Sequence, residues 1–213
     1  MTLKSMLTSG MRLSDVLHLS MKKSAFYKTP YTFLPQGALD SIITRATILI
    51  AMGITQPTPE DCELAAYILT NARRVFATAA YIELRPKTLY RAMVLFRNTN
   101  FTDERLPLEE MGGENLLRDV MSGRKHPLVN LERHVKYEAD RIWTFRRVHA
   151  FVEEQFKFLA PIIFTGKPDH DFGNLILPFV KKHATQAEGS FGVISKYEIH
   201  RDHFEIPAGQ VCQ

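Results

Sequence analysis

Residues 58–83, TPEDCELAAYILTNARRVFATAAYIE, constrain the fold more than any other stretch of this chain. Thr58 is a helix-capping residue, Pro59 suits a first helical position, and Glu60 and Asp61 sit where a helix dipole favours anions. Apolar residues then recur at Leu64, Ile68, Ala72, Val75, Ala79 and Ile82. Steps of three and four draw one buried stripe along a helix, and that stripe needs other apolar faces to cover it.

The neighbouring sequence supplies them. Residues 39–52 read as a helix stopped by Gly53, and Pro86 opens another with the stripe Leu89, Met93 and Phe96. A turn at Met111-Gly112-Gly113 precedes an expected short helix over 116–121, and 123–130 reads as a loop. A long helix is expected over 132–160, with the stripe Ile142, Phe145, Val148, Val152, Phe156 and Leu159, and Pro161 ends it. Trp143 and Phe158 fall off that stripe, so this helix either packs on two partners or is the central helix of a compact bundle, the reading favoured over an exposed docking face.

The texture changes after Pro161. Residues 162–164 are a short extended run, 165–174 are rich in turn formers, and LILPFV reads as a strand that Pro178 confines to an edge or an irregular piece. Residues 189–204 mix glycines with β-branched and aromatic residues, which suits a hairpin. The expected fold is mainly α, α+β overall: a helical bundle at 36–160, then a turn-rich segment and small β-hairpin at 161–213. Residues 1–35 read as a disordered or weakly helical leader, basic enough to be compatible with organelle targeting and lacking the apolar run of a secretory signal.

Composition narrows the function classes. With 45% hydrophobic and 23% charged residues, the chain can build a core. A net charge of +4 is not a dense cationic face, and the basic stretch 124–141 also holds Glu132, Glu138 and Asp140, so no nucleic-acid partner is expected. Cys62 and Cys212 imply no disulfide scaffold, and an intracellular protein, cytoplasmic or nuclear, is expected. The apolar run IITRATILIAMGI is too short to span a bilayer and contains Arg45.

One motif carries chemistry. In AEGSFGVI, Gly189 and Gly192 have the spacing of the second and third glycines of a loop that folds backbone N–H groups over nucleotide phosphates, with Ser190 and Phe191 at its tip. Ile194 occupies the position of the apolar residue that covers adenine, and Ala187 replaces the first glycine. A hairpin bend explains two glycines equally well. His200-Arg201-Asp202 has the letters of a kinase catalytic loop, but Pro207 stands where the metal-binding Asn belongs. It reads as a charged turn. His200, His203, His170 and His183 read as surface histidines, since a zinc site needs about four convergent ligands. Cys62 reads as a half-buried structural thiol.

The stretches FTDERLPL (101–108), VEEQFKFLAPIIF (152–164), LILPF (175–179) and GSFGVISKYEIHRDHF (189–204) occur in that order. Together they resemble the amino-terminal region of fungal protein-kinase-domain-containing proteins, over about residues 36–206. The resemblance implies a helical head leading into the first strands of a kinase small lobe, with Gly189, Ser190, Phe191, Gly192 and Ile194 at an ATP site that works with Mg. The implied activity is ATP-dependent phosphorylation of protein Ser, Thr or Tyr. No A-x-K, αC glutamate, catalytic Asp and Asn, or D-F-G metal site follows the hairpin, so activity from this chain alone is not expected. The alternative is a stand-alone helical module that binds a protein partner and has no enzymatic role.

Overall fold

The structure, a computed structural model, describes residues 10–111, 116–119, 125–126, 142–164, 172–183, 187–189 and 192–205. It is mainly helical with a few short strands. The helices are α1 (Leu13–Ser20), α2 (Gln36–Ile42), α3 (Arg45–Ala51), α4 (Pro59–Asn71), α5 (Arg73–Tyr81), α6 (Pro86–Asn98) and α7 (Phe145–Glu154).

Helix α4 starts as its sequence requires. The Thr58 N–H donates to Asp61 Oδ2 at 2.8 Å, and the Asp61 N–H donates back to Thr58 Oγ1 at 3.3 Å, so two otherwise unsatisfied donors are paired. The Thr58 N–H and hydroxyl, both donating to the carboxylate, hold the Asp61 carboxyl below its ordinary value. Leu64, Ile68, Ala72, Val75 and Ala79 are all buried. The stripe, however, spans two helices: the chain breaks at Ala72 (φ −139°, ψ 33°) and restarts as α5.

The same correction applies at residues 39–52. Thr44 is extended, and its hydroxyl accepts from the Thr47 N–H, so α3 begins afresh there and does not continue α2. Gly53 ends α3 as expected, at φ +74°, where a Cβ would be strained. Helix α6 buries Leu89, Met93 and Phe96.

Helix α7 is shorter than the expected span of 132–160. Thr144 accepts from the Arg147 N–H and caps it, and residues 155–158 tighten into a 3₁₀ turn. Residues 132–141 lie outside the described set. Because the helix starts at Phe145, that ring is 65% exposed, whereas Trp143 precedes the helix at 1% exposure. Trp143 lies against Phe96 at 5.4 Å and Phe151 at 5.5 Å, ring centroid to centroid, within the main core. Off-stripe Trp143 therefore does not mark a second packing face of the helix.

Two further expectations are revised. Residues 116–119 are a strand, β4, paired antiparallel with β3 (Leu108–Met111) from Leu108↔Asp119 to Met111↔Leu116, and the short strand β5 (Lys125–His126) adds to β4. A paired strand therefore stands at 116–119, where a helix over 116–121 was expected, and residues 120–121 lie outside the described set. The leader expected for residues 1–35 is part of the folded body from Gly10 onward, since α1 buries Leu13, Val16 and Leu17.

Residues 22–35 then run under the carboxy-terminal strands. Strands β1 (Lys22–Lys23) and β2 (Thr32–Phe33) pair antiparallel. Phe33 forms a second core with Ala160 and Ile176, so the division expected at residue 160 runs through shared packing. The short strand β6 (Ile163–Phe164) pairs in parallel with β11 (Phe204–Glu205).

Gln155, fully buried, ties α7 to β3. Its amide accepts from the Leu108 N–H at 2.8 Å and donates to the Leu108 carbonyl at 2.7 Å. Leucine at 155 would fill the space but leave both backbone groups unpaired, a cost of about 1–3 kcal/mol. Gln155→Leu is expected to lower the urea unfolding midpoint accordingly, and an unchanged midpoint would show that water replaces the lost bonds.

Candidate functional site

The glycine-rich stretch is a two-armed ribbon. Strand β7 (Phe179–Lys182) pairs antiparallel with β10 (Tyr197–Ile199), with Tyr197↔Lys182 and Glu198↔Lys181 in register and an irregularity between Glu198 and Ile199. The His183 N–H extends the ladder to the Lys196 carbonyl at 2.9 Å. Further along the same arms, β8 (Ala187–Gly189) pairs with β9 (Gly192–Ile194) through Ala187↔Ile194, Glu188↔Val193 and Gly189↔Gly192. The last described pair is thus glycine against glycine. Ser190 and Phe191, which join them in sequence, lie outside the described residues. The expected strand LILPFV begins only at Phe179, and Pro178 instead accepts from the His200 N–H through its carbonyl at 2.8 Å.

The base of the ribbon is fixed by residues 24–27. The Ala25 N–H donates to the Phe179 carbonyl at 2.6 Å, Ser24 Oγ to the Leu177 carbonyl at 2.7 Å, and the Tyr27 hydroxyl to the Leu175 carbonyl at 2.8 Å. The rings of Phe26, Phe179 and Tyr197 lie 5.0–5.8 Å apart, centroid to centroid.

Beyond β10 the chain enters His200-Arg201-Asp202, and its role is structural. Residues Arg201–His203 form a 3₁₀ turn that meets the start of α2. Helix α2 has Pro35 at its N-cap and no side-chain cap of its own. The Gln36 N–H donates to His203 Nε2 at 3.2 Å, and the Gly37 N–H donates to Asp202 Oδ2 at 3.2 Å. His203 Nδ1 lies 3.1 Å from the Pro161 carbonyl. An imidazole that donates through Nδ1 and accepts through Nε2 is neutral. His203 is 1% exposed, which corrects the expectation of a surface histidine, and burial pushes its pKa below the ordinary value.

The other sequence candidates separate. His200 and His203 have ring centroids 6.1 Å apart, and no cluster of metal-ligating side chains occurs among the described residues. His170 lies outside them, and His183 is half-buried at the ribbon's ladder. Cys62 is a half-buried free thiol, as expected, while Cys212 lies outside the described residues. The letters Asp171-Phe172-Gly173 spell a kinase metal motif, but they precede the glycine ribbon, the reverse of the order a kinase requires. No helix among the described residues is long and apolar enough to cross a membrane.

No protein-family model, no curated protein and no solved structure matches this chain.

The site's geometry gives two measurable consequences. A Cβ on Gly37 would sit 2.6 Å from Asp202 Oδ2, so in Gly37→Ala the carboxylate must swing away and give up its bond from the Gly37 N–H, an expected cost of about 1 kcal/mol, as for a lost helix cap. In an Asp202→Ala background the clash is gone, and the same change should cost clearly less. Equal costs in both backgrounds, measured by denaturant unfolding, would show that the close approach is not what requires glycine.

The second concerns pH. Arg74 and the neighbouring His200 oppose a proton on His203, and Asp202 favours one. Because the folded pKa is depressed, the unfolded chain takes the proton first as pH falls. This histidine's contribution is complete above its unfolded value near 6.5 and declines as pH drops toward the lower folded value. Stability of the wild type is expected to fall between pH 7.5 and 5.5 more steeply than that of His203→Gln. Parallel curves would refute the capping role.

Proposed function

We propose that this chain is the helical head and nucleotide-loop ribbon of a protein-kinase-like protein, whose activity is ATP-dependent phosphorylation of protein Ser, Thr or Tyr. The observation that carries this reading is the antiparallel pair Gly189↔Gly192 at the last described rung of the ribbon. Two glycines opposite one another present no Cβ, so the backbone can approach a polyphosphate closely and direct N–H groups at it. Ile194, opposite Ala187, would cover the adenine from the returning arm.

In this role the nucleotide brings its Mg²⁺, which neutralises phosphate charge. The chain's own part is positioning. Residues 189–192 would cover the phosphates, and the ladder down to Ile199 would hold the loop against the helical body. Transfer itself requires a paired lysine, a catalytic Asp and metal-holding residues, and none of these follows the ribbon in this sequence. The reading therefore predicts weak nucleotide binding without transfer for the chain as given. Ala187, in place of a first glycine, stiffens one arm and adds to the weakness.

Amide chemical shifts of the nitrogen-labelled chain, titrated with Mg-ATP, test this directly. The Gly189 and Gly192 resonances are expected to move with millimolar affinity and to stop responding in Gly192→Val. Shifts confined to other regions, or none at all, would sink the nucleotide-loop reading.

A further inference from the structure

The ribbon's base carries a surface that the sequence disperses. Residues 22–31 and 179–199 are far apart along the chain, and the fold sets them side by side through the Ala25 N–H to Phe179 carbonyl bond. Phe26 and Tyr31 are 46% and 49% exposed. Phe26 contacts Tyr27 at 5.1 Å, Phe179 at 5.8 Å and Tyr197 at 5.6 Å, and Tyr27 contacts Tyr31 at 4.9 Å, all between ring centroids. The result is one continuous aromatic patch.

The same two segments carry lysines. Lys23, Lys28 and Lys182 are exposed, and none has a carboxylate partner among the described residues. Lys182 Nζ stands 5.7 Å from the Tyr197 ring centroid, so charge and ring share one face. Lys28 lies between Tyr27 and Tyr31 in the loop. Glu198 is in register with Lys181, one position along from the Tyr197↔Lys182 pair, and strand alternation turns it to the opposite face.

We propose that this surface binds single-stranded nucleic acid, with Phe26 and Tyr31 stacking on unpaired bases and Lys28 and Lys182 contacting the phosphates. The chemistry selects this occupant. An acidic peptide would satisfy the lysines but make little use of exposed rings. A membrane surface is bound by an amphipathic helix with one apolar face, and here Phe26 and Tyr31 lie in the non-helical segment between β1 and β2. Duplex DNA keeps its bases stacked on one another, so the rings would find no partner. Single strands offer both a regular negative charge and free π faces. The average charge of the chain conceals this, because lysines from two distant segments converge only after folding.

The test is fluorescence anisotropy of a labelled oligo-dT or oligo-U strand titrated with the full chain. Binding is expected at about 1–100 µM near physiological salt and should weaken as salt rises. Phe26→Ala and Tyr31→Ala are each expected to weaken it about tenfold with the salt dependence unchanged. Lys28→Ala and Lys182→Ala should each reduce the salt slope by about 0.7. Lys182→Arg, which keeps the charge, should retain binding. All these positions are at the surface, and circular dichroism of each variant checks that it folds. The proposal is overturned by absence of saturable binding, by equal affinity for duplex, by insensitivity to Phe26→Ala, or by stronger binding to poly-glutamate or to anionic phosphatidylserine vesicles.

Discussion

Helix α2 begins on a proline and cannot cap itself, and the closure of the whole molecule follows from how that deficit is met. The first N–H groups of any helix lack partners within it. Here the Gln36 and Gly37 N–H groups are taken by His203 and Asp202, more than 160 residues along the chain. Helix α5, which begins after Ala72, is met the same way: the Arg74 and Val75 N–H groups donate to the two carboxylate oxygens of Asp103 at 3.0 and 2.9 Å. Burial nevertheless raises the Asp103 pKa, so desolvation outweighs those bonds for the charged form. Both caps trade electrostatic cost for a fixed geometry between segments that share no other sequence signal.

This division explains what could be read in advance. Thr58 with Asp61, Pro59, Pro86 and Gly53 act within a few residues of themselves, and each does in the structure what its chemistry dictates. The breaks at Ala72 and Thr44 were hidden because the apolar spacing continues through them. A stripe in steps of three and four survives a change of helix axis when the next helix lies on the same core. Thr144 was concealed by a different effect: its cap starts α7 late, so Phe145 turns outward and Trp143 inward. Residues 116–119 carry leucines that suit either helix or strand, and pairing with Leu108–Met111 decides between them.

At the candidate site the sequence shows the two glycines and their hairpin, but not what holds the ribbon in place. Isolated two-stranded ribbons are marginal in water. This one is secured at its base by Ser24, Ala25 and Tyr27, and by the second core of Phe33, Ala160 and Ile176. His203 reads as a surface residue because a charged run, His200-Arg201-Asp202, precedes it in sequence. Its ring is buried because both nitrogens have backbone partners, which removes the penalty of leaving water.

The same architecture divides labour along the ribbon. At Gly189 and Gly192 two residues without a Cβ stand opposite one another. At Phe179 and Tyr197 the ribbon is stacked, hydrogen-bonded and continuous with residues 22–31. A phosphate group at the tip gains affinity only to the extent that the loop is ordered beforehand, because ordering on binding subtracts from the gain. At the base the amino-terminal segment clamps the first arm and α2 receives the turn that ends the second. Residues 22–37 would therefore support a nucleotide site on this ribbon as much as the glycines would. A polymer held on the lysine and aromatic face would load that same clamp, so the two surfaces share one mechanical support without sharing a ligand.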